Sequence, residues 1–342
     1  MNLYYDNGYV NIKRILSMGF PFNFIIGGRA TGKTYGTLKE MIETRTTFFL
    51  MRRLQNQCDL INVPEFSPLT PVCDDLGLSF ESVKLTKTNS ALYIHHDGED
   101  QGQPLGVTGA LSTMANTRGF DGSWIDVLIY DEFIPERHER SMKDEYSAFC
   151  NAYETVNRNR EMKGRKPLQA VLLSNSNDIA SPLLMGFELI SHIRKAIKTG
   201  NNYYMDRTRG IFVALLSDSE ISERKAETAL YRAQPGNTQF SRMSLGNTFE
   251  AVSNSKIRSL PLRQIRPVVR VGEIDIGYVK GEGVYYVTRK NTLPCKELYG
   301  VSDIELERFS SKYAAIRRCH LHDKIIFESE ELEILLAKYM ST

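Results

Sequence analysis

The fold of this chain is decided by one glycine-rich octapeptide, Gly27-Gly28-Arg29-Ala30-Thr31-Gly32-Lys33-Thr34. It matches the complete G-x-x-x-x-G-K-[ST] pattern of phosphate-binding loops. An apolar run at residues 22–26 precedes it, and a helix-compatible stretch at residues 34–44 follows it. Because this is the strand, loop and helix context that the pattern requires, the sequence predicts a P-loop nucleotide triphosphatase and not a glycine turn without a ligand.

Each part of this loop has a predicted role in holding ATP. The glycines let successive backbone N–H groups turn toward the phosphates, and the following helix adds the positive end of its dipole. Lys33 is expected to reach the β- and γ-phosphates, and the Thr34 hydroxyl is expected to ligate Mg²⁺. All eight residues are therefore predicted to bind nucleotide, with ATP and Mg²⁺ as cofactors.

A second motif ends another apolar run, Val127-Leu128-Ile129-Tyr130-Asp131-Glu132. Four apolar residues followed by two acids are typical of a Walker B strand. In this interpretation Asp131 holds Mg²⁺ through its water shell, and Glu132 orients and polarises the water that attacks the γ-phosphate. The alternative is an ordinary strand that ends in two acids at a sheet edge. Together with the loop, two acids with separate roles favour a hydrolase over a kinase.

Two further polar residues are candidates for the same site. Asn175 follows the apolar run 169–173 and is predicted to lie beside Glu132 as a phosphate sensor, or else to cap the following loop. Arg158 ends a predicted helix over residues 141–157. It is a candidate arginine finger for a neighbouring subunit, although arginines in a last turn also complement the helix dipole.

Three other basic residues remain undecided from the sequence. Arg52 and Arg53 follow the predicted strand 47–51, where a strand end approaches the nucleotide. They position phosphate or a nucleic-acid track, or are simply solvated. Lys143 is a weaker candidate of the same kind.

Composition narrows the class of protein. The 342 residues, 42% of them hydrophobic, are enough for two ordinary domains, and the net charge of +2 requires any nucleic-acid contact to come from a local patch. The five cysteines form no C-x-x-C pair, which argues against a disulfide framework or a zinc ribbon. Cys319-His320-Leu321-His322 is either a metal half-site or ordinary packing. Without a run of about 18 apolar residues or a signal-like start, we expect a cytoplasmic protein with no membrane contact.

The order of apolar and helical stretches predicts an α/β fold. Buried strands are predicted at residues 22–26, 47–51, 91–95, 125–130, 169–173 and 210–215, with helices at 34–44, 141–157 and 183–199. Continuous apolar strands alternating with helices favour a largely parallel sheet whose ligand lies at the carboxyl ends of the strands. We predict an ATPase domain at residues 1–215, a linker or lid at 216–257 and a smaller C-terminal α+β domain at 258–342. The last domain should contain a meander at 267–271 and 283–288 and a final helix at 330–339.

In order along the chain, these motifs resemble those of the genome-packaging ATPases of small short-tailed phages, the phi-29-like group. The segments that carry the resemblance are the loop with Arg29, Arg52-Arg53, residues 129–134, Thr155-Val156-Asn157-Arg158-Asn159-Arg160-Glu161, Leu173-Ser174-Asn175 and Met243-Ser244-Leu245-Gly246-Asn247-Thr248-Phe249.

The resemblance implies an additional-strand, conserved-glutamate ATPase. It implies a homopentameric ring at the portal vertex of a prohead that drives double-stranded DNA inward, with the arginine-finger role on Arg158. Such a protein would work in the host-cell cytoplasm, attach transiently to the prohead and be absent from the mature virion. In that family the C-terminal domain resembles an RNase H-type nuclease that has lost its metal site, and some members dock on a packaging RNA.

The acids of the C-terminal region do not predict a working nuclease. Glu273, Asp275 and Glu282 form no convincing two-metal set, and Asp303 and Asp323 stay open as additional ligands. The basic residues of this region are a candidate DNA-backbone patch or a solvated face: Lys256, Arg258, Arg263, Arg266 and Arg270.

The sequence therefore leads to a DNA-translocating ATP hydrolase. The alternatives are a large terminase subunit with an active C-terminal nuclease, a small-molecule kinase, and a non-enzymatic scaffold in which nucleotide only locks a subunit interface.

Overall fold

A computed structural model describes residues 1–96, 102–117, 119–134, 142, 144–175, 181–216, 227–233, 257–321 and 324–340. The described residues fall into two compact units. The first contains residues 1–134, 144–175, 192–216 and 227–233; the second contains residue 142, residues 181–191 and the part from 257 onward.

Up to residue 233 the chain alternates strands with helices. In chain order the elements are α1 Ile12–Ser17, β1 Phe22–Gly27, α2 Lys33–Glu43, β2 Phe48–Arg52, α3 Gln55–Ile61, α4 Thr70–Leu76, β3 Ser79–Lys84, β4 Ser90–His95, β5 Gly106–Ala110, β6 Val127–Asp131, α5 Glu145–Asn157, β7 Gln169–Asn175, α6 Pro182–Gly186, α7 Ile190–Lys198, β8 Tyr203–Asp206, β9 Ile211–Leu216 and α8 Ala229–Arg232.

The strands of the first unit form one nine-stranded sheet in the order β3-β4-β5-β2-β6-β7-β1-β9-β8. All neighbours from β5 to β9 in this order run parallel, whereas β3, β4 and β8 are antiparallel additions at the two edges. Every residue of β6 and of β9 is buried, as expected for strands covered on both faces. The predicted α/β fold with a largely parallel sheet is confirmed.

Several local predictions differ from the structure. The strand predicted at 91–95 exists as β4 but pairs antiparallel with both neighbours. The single helix predicted at 183–199 is two helices, α6 and α7, because the chain turns at Glu188, which has a left-handed φ of 55°. β3 and β5 were not predicted; β5 begins with a glycine and contains another, and β3 is largely polar.

The two faces of the large sheet are packed differently. On one face, Leu38 of α2 and Val72 of α4 join a continuous apolar core with Ile25 and Ile129 of the sheet. On the other face, α5 places the buried ring of Phe149 parallel to Tyr130, with centroids 5.8 Å apart and planes 15° apart. The aromatic contact fixes α5 against the strand that carries the two acids.

The second unit is built on a smaller sheet. Its elements from residue 257 onward are β10 Ile265–Val271, β11 Ile274–Val279, β12 Tyr285–Arg289, β13 Leu298–Tyr299, α9 Asp303–Lys312, α10 Ala314–Leu321, β14 Ile325–Phe327 and α11 Glu330–Met340. The strand order is β13-β10-β11-β12-β14, in which β10 to β12 are an antiparallel meander and the two outer strands pair parallel. The strands predicted at 267–271 and 283–288 exist as β10 and β12, but they are joined through β11, a strand that the prediction lacks. The predicted final helix is confirmed, and the RNase H-like relationship stays a prediction.

Some predictions fall outside the described residues. These are Lys143, Lys256, His322, Asp323, the segment 243–249 and most of the linker predicted at 216–257. Within the part of the chain that the structure does describe, no helix has the length and apolar character needed to cross a membrane.

Phe149→Ala tests the packing of α5. The substitution should lower the free energy of unfolding by about 3–5 kcal/mol, since it removes a fully buried ring and leaves a cavity. Urea denaturation followed by circular dichroism measures the loss. Phe66→Ala, at a ring that is 70% exposed, is the matched control and should change stability by less than about 0.5 kcal/mol. Equal losses in the two variants would contradict the assigned packing.

Candidate active site

The predicted site residues converge because three parallel strands end at the same edge of the sheet. In the ladder of β1 and β7, Gly27 pairs with Asn175. In the ladder of β6 and β7, Asp131 pairs with Leu173. The phosphate loop, the two acids and Asn175 therefore lie together at the carboxyl edge, where ligands bind in open α/β sheets.

The loop has the backbone shape of an anion site. Ala30 and Gly32 have left-handed φ angles of 70° and 77°, and Gly32 is the N-cap of α2. A Cβ built on Gly32 would lie 2.6 Å from the Tyr9 ring, so a side chain is excluded there by contact as well as by conformation. Since glycine offers no capping side chain, the first N–H groups of α2 are left for an anionic ligand.

Lys33 joins the loop to the end of β7. Its Nζ donates to the carbonyl oxygens of Gly28 at 2.6 Å and Gly27 at 3.1 Å, and to Oδ1 of Asn175 at 3.4 Å. Asn175 is thus part of the site, and its contact there is with the loop lysine. The neighbouring Ser174 accepts the backbone N–H of Ile134 at 3.2 Å and thereby fixes the chain that follows Glu132.

Thr34 and Asp131 form a donor set suited to Mg²⁺. The Thr34 hydroxyl donates to the two carboxylate oxygens of Asp131 at 3.0 and 3.2 Å, so a hydroxyl from the first turn of α2 and a carboxylate from the end of β6 meet at one point. Hard oxygen ligands of this type, completed by water and phosphate oxygens, are what Mg²⁺ takes in nucleotide sites. The residues present fit the predicted metal.

Arg52 binds both acids. Its guanidinium lies 2.9 Å from an oxygen of Asp131 and 2.5 Å from an oxygen of Glu132. Burial disfavours the arginine charge, but the two carboxylates outweigh it and raise the pKa of Arg52. Burial also raises the pKa of Asp131, an effect that Glu132 adds to and Arg52 opposes. The cation of Arg52 therefore neutralises the charge that a metal ion would otherwise neutralise.

Glu132 is directed out of the strand by its backbone. It has a left-handed φ of 59°, which is uncommon for a residue other than glycine and is often kept at functional positions. Its side chain is 51% exposed, whereas that of Asp131 is 3% exposed. The two adjacent acids thus differ in environment, one suited to a metal and the other open to water.

Arg53 does not take any of the roles considered from the sequence. Its side chain is fully buried and forms a bidentate ion pair with Glu145, the first residue of α5, at 2.9 and 3.0 Å. Consecutive residues at a strand end point to opposite faces, so Arg52 reaches the acids while Arg53 reaches the helix. Sequence reasoning missed Glu145 because its partner lies 92 positions away.

Arg158 lies at the opposite edge of the sheet from its own phosphate loop. It is the C-cap of α5, and its guanidinium donates to the carbonyl oxygen of Phe120. The preceding Asn157 accepts the N–H of Leu168, which immediately precedes β7. The helix has therefore crossed to the amino ends of the strands, and Arg158 is not a ligand of the nucleotide site in its own protomer.

Arg160 has a structural environment. It is buried, donates to the carbonyl oxygens of Ser123 and Ile125, and lies 3.6 Å from a carboxylate oxygen of Asp126. Of the two arginines in the Arg-Asn-Arg string, Arg158 is thus the more exposed.

Three of the acids considered in the C-terminal unit, Glu273, Asp275 and Glu282, lie in ion pairs with basic side chains. Asp275 is fully buried, pairs with Arg270 at 2.5 Å and accepts the N–H of Leu293 at 2.8 Å. Glu273 pairs with Lys290 at 3.0 Å. Among the described residues, no group of three or more His, Cys, Asp or Glu side chains is arranged to hold a metal ion.

Three of the basic residues considered for the DNA-backbone patch have partners within the C-terminal unit. Arg270 is turned into its ion pair with Asp275, and Arg258 lies 3.5 Å from Glu282. Arg266 lies over the ring of Tyr278 at 5.9 Å. Arg270 is therefore removed from the list of DNA-contacting candidates.

Comparison with known proteins identifies relatives of one kind. The family model described as podovirus DNA encapsidation protein (Gp16) matches residues 4–319. DNA packaging proteins of Bacillus phages PZA and B103 are 24% identical over 306 residues and 25% identical over 301 residues. These alignments cover 87% and 86% of this chain and 84% and 85% of the relatives.

Two solved structures share the fold of the whole chain. The Phi-28 gp11 DNA packaging motor has a TM-score of 0.61 at 17% identity, covering 98% of this chain and 99% of that chain. The bacteriophage Phi-29 viral genome packaging motor assembly has a TM-score of 0.58 at 16% identity, covering 97% and 99%.

Arg52→Ala should strengthen binding of a divalent cation to the nucleotide-free protein. Without the arginine, the adjacent carboxylates of Asp131 and Glu132 attract Mn²⁺, used as a spectroscopic substitute for Mg²⁺, about tenfold more tightly, equivalent to about 1.4 kcal/mol. Electron paramagnetic resonance titration measures the affinity. Arg289→Ala removes an exposed arginine in the second unit and is the control. An Mn²⁺ affinity that Arg52→Ala leaves unchanged would contradict the assigned charge balance.

Proposed function

We propose that this chain, which belongs to the podovirus DNA encapsidation protein family, is the ATPase of a motor that translocates double-stranded viral DNA into a prohead. The observation that carries the proposal is the convergence at one sheet edge of the phosphate loop, the Thr34–Asp131 pair and Glu132. The names of the relatives, DNA packaging proteins of Bacillus phages, support the DNA substrate.

The proposed chemistry follows from the positions of the side chains. The loop N–H groups and Lys33 bind the phosphates of ATP, and Thr34 and Asp131 hold Mg²⁺, which neutralises phosphate charge when bound. Glu132 accepts a proton from the water whose oxygen attacks the γ-phosphorus. The bond from that phosphorus to the β–γ bridging oxygen breaks, giving ADP and phosphate. Since Arg52 binds Glu132 in the described structure, Arg52 has to release it before Glu132 acts as a base.

We assign the catalytic unit to the additional-strand, conserved-glutamate class. The support is the strand order, in which β7 separates the loop strand β1 from the acid strand β6. The position of β7 brings Asn175 to Lys33, where it can sense the γ-phosphate through the lysine. The proposed division assigns the ATPase domain to residues 1–215, of which residues 181–191 group with the second compact unit, and a linker to residues 216–257.

Arg158 is proposed to act in a neighbouring subunit. Its location at the amino edge of its own sheet excludes a role at its own loop and is compatible with a head-to-tail ring, in which one subunit's amino edge meets the next subunit's site. A planar guanidinium inserted there would stabilise the charge on the transferred phosphoryl group. We propose a pentameric ring at the portal vertex, working in the host cytoplasm and released before the virion matures.

The C-terminal domain, residues 258–342, is proposed to bind nucleic acid or the portal, as an RNase H-like domain without nuclease activity. The alternative of a terminase with an active nuclease is disfavoured by Asp275, whose carboxylate is already bound by Arg270 and by a backbone N–H. A packaging RNA, on which some members of the phi-29-like group dock, is a further proposed partner.

Glu132→Gln and Lys33→Ala should separate hydrolysis from binding. Glu132→Gln is expected to bind ATP normally, and its turnover rate should fall about 10²–10⁴-fold, because only the general base is removed. Lys33→Ala is expected to lose ATP affinity as well, since the lysine contacts the phosphates. Phosphate release with and without double-stranded DNA, alongside equilibrium binding of a fluorescent ATP analogue, measures both. Wild-type turnover in either variant would refute the site. In the unmodified protein, turnover indifferent to DNA would favour the kinase alternative, and nucleotide binding without turnover would favour the scaffold.

Mixed rings test the role of Arg158. Arg158→Ala subunits alone should show turnover reduced by about 10³-fold or more, the effect of removing an arginine finger. Mixed with Glu132→Gln subunits, which keep their arginine, they should recover part of the DNA-stimulated ATPase rate. Arg289→Ala in place of Arg158→Ala controls for the loss of one arginine. If no mixing ratio restores activity, the arginine does not act in trans.

A further inference from the structure

We propose that Arg53, Tyr130 and Glu145 are positioning residues that hold α5, and with it Arg158, in register with the nucleotide site of the same protomer. The inference rests on the proposed function, because it assigns to these three residues the placement of an arginine that serves the neighbouring subunit. None of the three contacts the nucleotide in this proposal.

The three side chains form a buried network. Arg53 donates from Nε and Nη2 to the two carboxylate oxygens of Glu145 at 2.9 and 3.0 Å, and the Tyr130 hydroxyl donates to the same carboxylate at 2.7 Å. Their exposed fractions are 0%, 0% and 1% for Arg53, Tyr130 and Glu145. Three directed bonds with two planar groups allow little freedom in the position of Glu145.

The network adjoins the nucleotide site along two strands. Arg53 follows Arg52, which binds Asp131 and Glu132, and Tyr130 precedes Asp131, which would hold the metal. At the ends of both β2 and β6, one residue therefore points into the active site and its neighbour points to the helix. If Asp131 bound Mg²⁺ and Arg52 released the two acids, the strand ends that carry these residues would also be the ones that carry Tyr130 and Arg53.

The network is connected to Arg158 by one continuous helix. Glu145 is the first residue of α5, and Arg158 is its C-cap 13 residues later, about 20 Å along the helix axis. At the far end, a Cβ on Gly122 would lie 2.9 Å from the Cα of Val156, so the last turn is in close contact with the chain before β6. A displacement or rotation of α5 at Glu145 therefore moves Arg158 as well.

Stability alone does not account for this network. Buried ion pairs are often replaced by apolar residues of similar volume without loss of stability, whereas removal of one partner leaves an unpaired buried charge. If the ion pair only stabilised the fold, apolar side chains of similar volume could replace it. If it sets the position of the helix, they could not, because apolar contacts lack the directionality of hydrogen bonds.

The test uses an apolar double variant, Arg53→Met/Glu145→Leu, in the full-length protein. We expect an unfolding midpoint in urea slightly below that of the wild type, because the buried Tyr130 hydroxyl loses its carboxylate acceptor. We expect unchanged affinity for a fluorescent ATP analogue, and a kcat for DNA-stimulated hydrolysis at least tenfold lower with KM unchanged. Tyr130→Phe, which keeps the ring and removes one hydrogen bond, should lower kcat in the same direction but less, and it reports on the network if the double variant fails to fold.

Mixed rings then locate the defect. Glu132→Gln subunits, which keep the network and Arg158, should restore turnover to the double variant, or to Tyr130→Phe, because the intact site of the variant receives a well-placed arginine. Arg158→Ala subunits should not restore it. Wild-type kcat in the double variant and in Tyr130→Phe, loss of ATP affinity, or restoration by Arg158→Ala subunits would each overturn the inference.

One outcome distinguishes this inference from its premise. If Arg158→Ala itself is not rescued by Glu132→Gln subunits, the trans role proposed for Arg158 fails, and the inference fails with it. If Arg158→Ala is rescued but the network variants are not, the proposed function stands and only the positioning role is wrong.

Discussion

The structure depends on how two adjacent carboxylates are neutralised at the end of one parallel strand. Asp131 is buried and Glu132 is half-exposed, and the guanidinium of Arg52, at the end of the neighbouring strand, forms an ion pair with each of them. Two carboxylates this close destabilise one another unless a cation lies between them. In the described structure that cation is Arg52, and in the proposed function Mg²⁺ takes over at Asp131. In this account, the replacement of Arg52 by Mg²⁺ at Asp131 also frees Glu132 to act as the base.

The positions of the other site residues follow from strand order. Because β7 lies between β1 and β6, Asn175 and Ser174 end between the phosphate loop and the acids, one bound to Lys33 and the other to the chain after Glu132. On the opposite face, α5 runs from the carboxyl edge at Glu145 to the amino edge at Arg158. A single subunit thus presents its nucleotide site at one edge and its candidate finger at the other. Such a molecule is suited to act in a ring of like subunits, as the proposed function requires.

Features set by local sequence were predictable, and features set by distant contacts were not. The phosphate loop and the continuous apolar strands were recognised because their residue types and spacing are themselves the signal. Strands β3 and β5 were missed since polar residues in the first and glycines in the second weaken the strand pattern. The ion pair between Arg53 and Glu145 could not be predicted, because the residues are 92 positions apart and no local pattern relates them. The edge on which Arg158 lies likewise depends on the path of α5, which local sequence does not specify.

The most direct test is a structure of the assembled protein with Mg²⁺ and a non-hydrolysable ATP analogue. The account predicts the triphosphate within the loop from Gly27 to Thr34, the metal between Thr34 and Asp131, Arg52 withdrawn from Asp131, and Arg158 of the adjoining subunit at the γ-phosphate. An analogue bound with the Arg52–Asp131 ion pair intact, or a γ-phosphate that no adjoining arginine approaches, would contradict it.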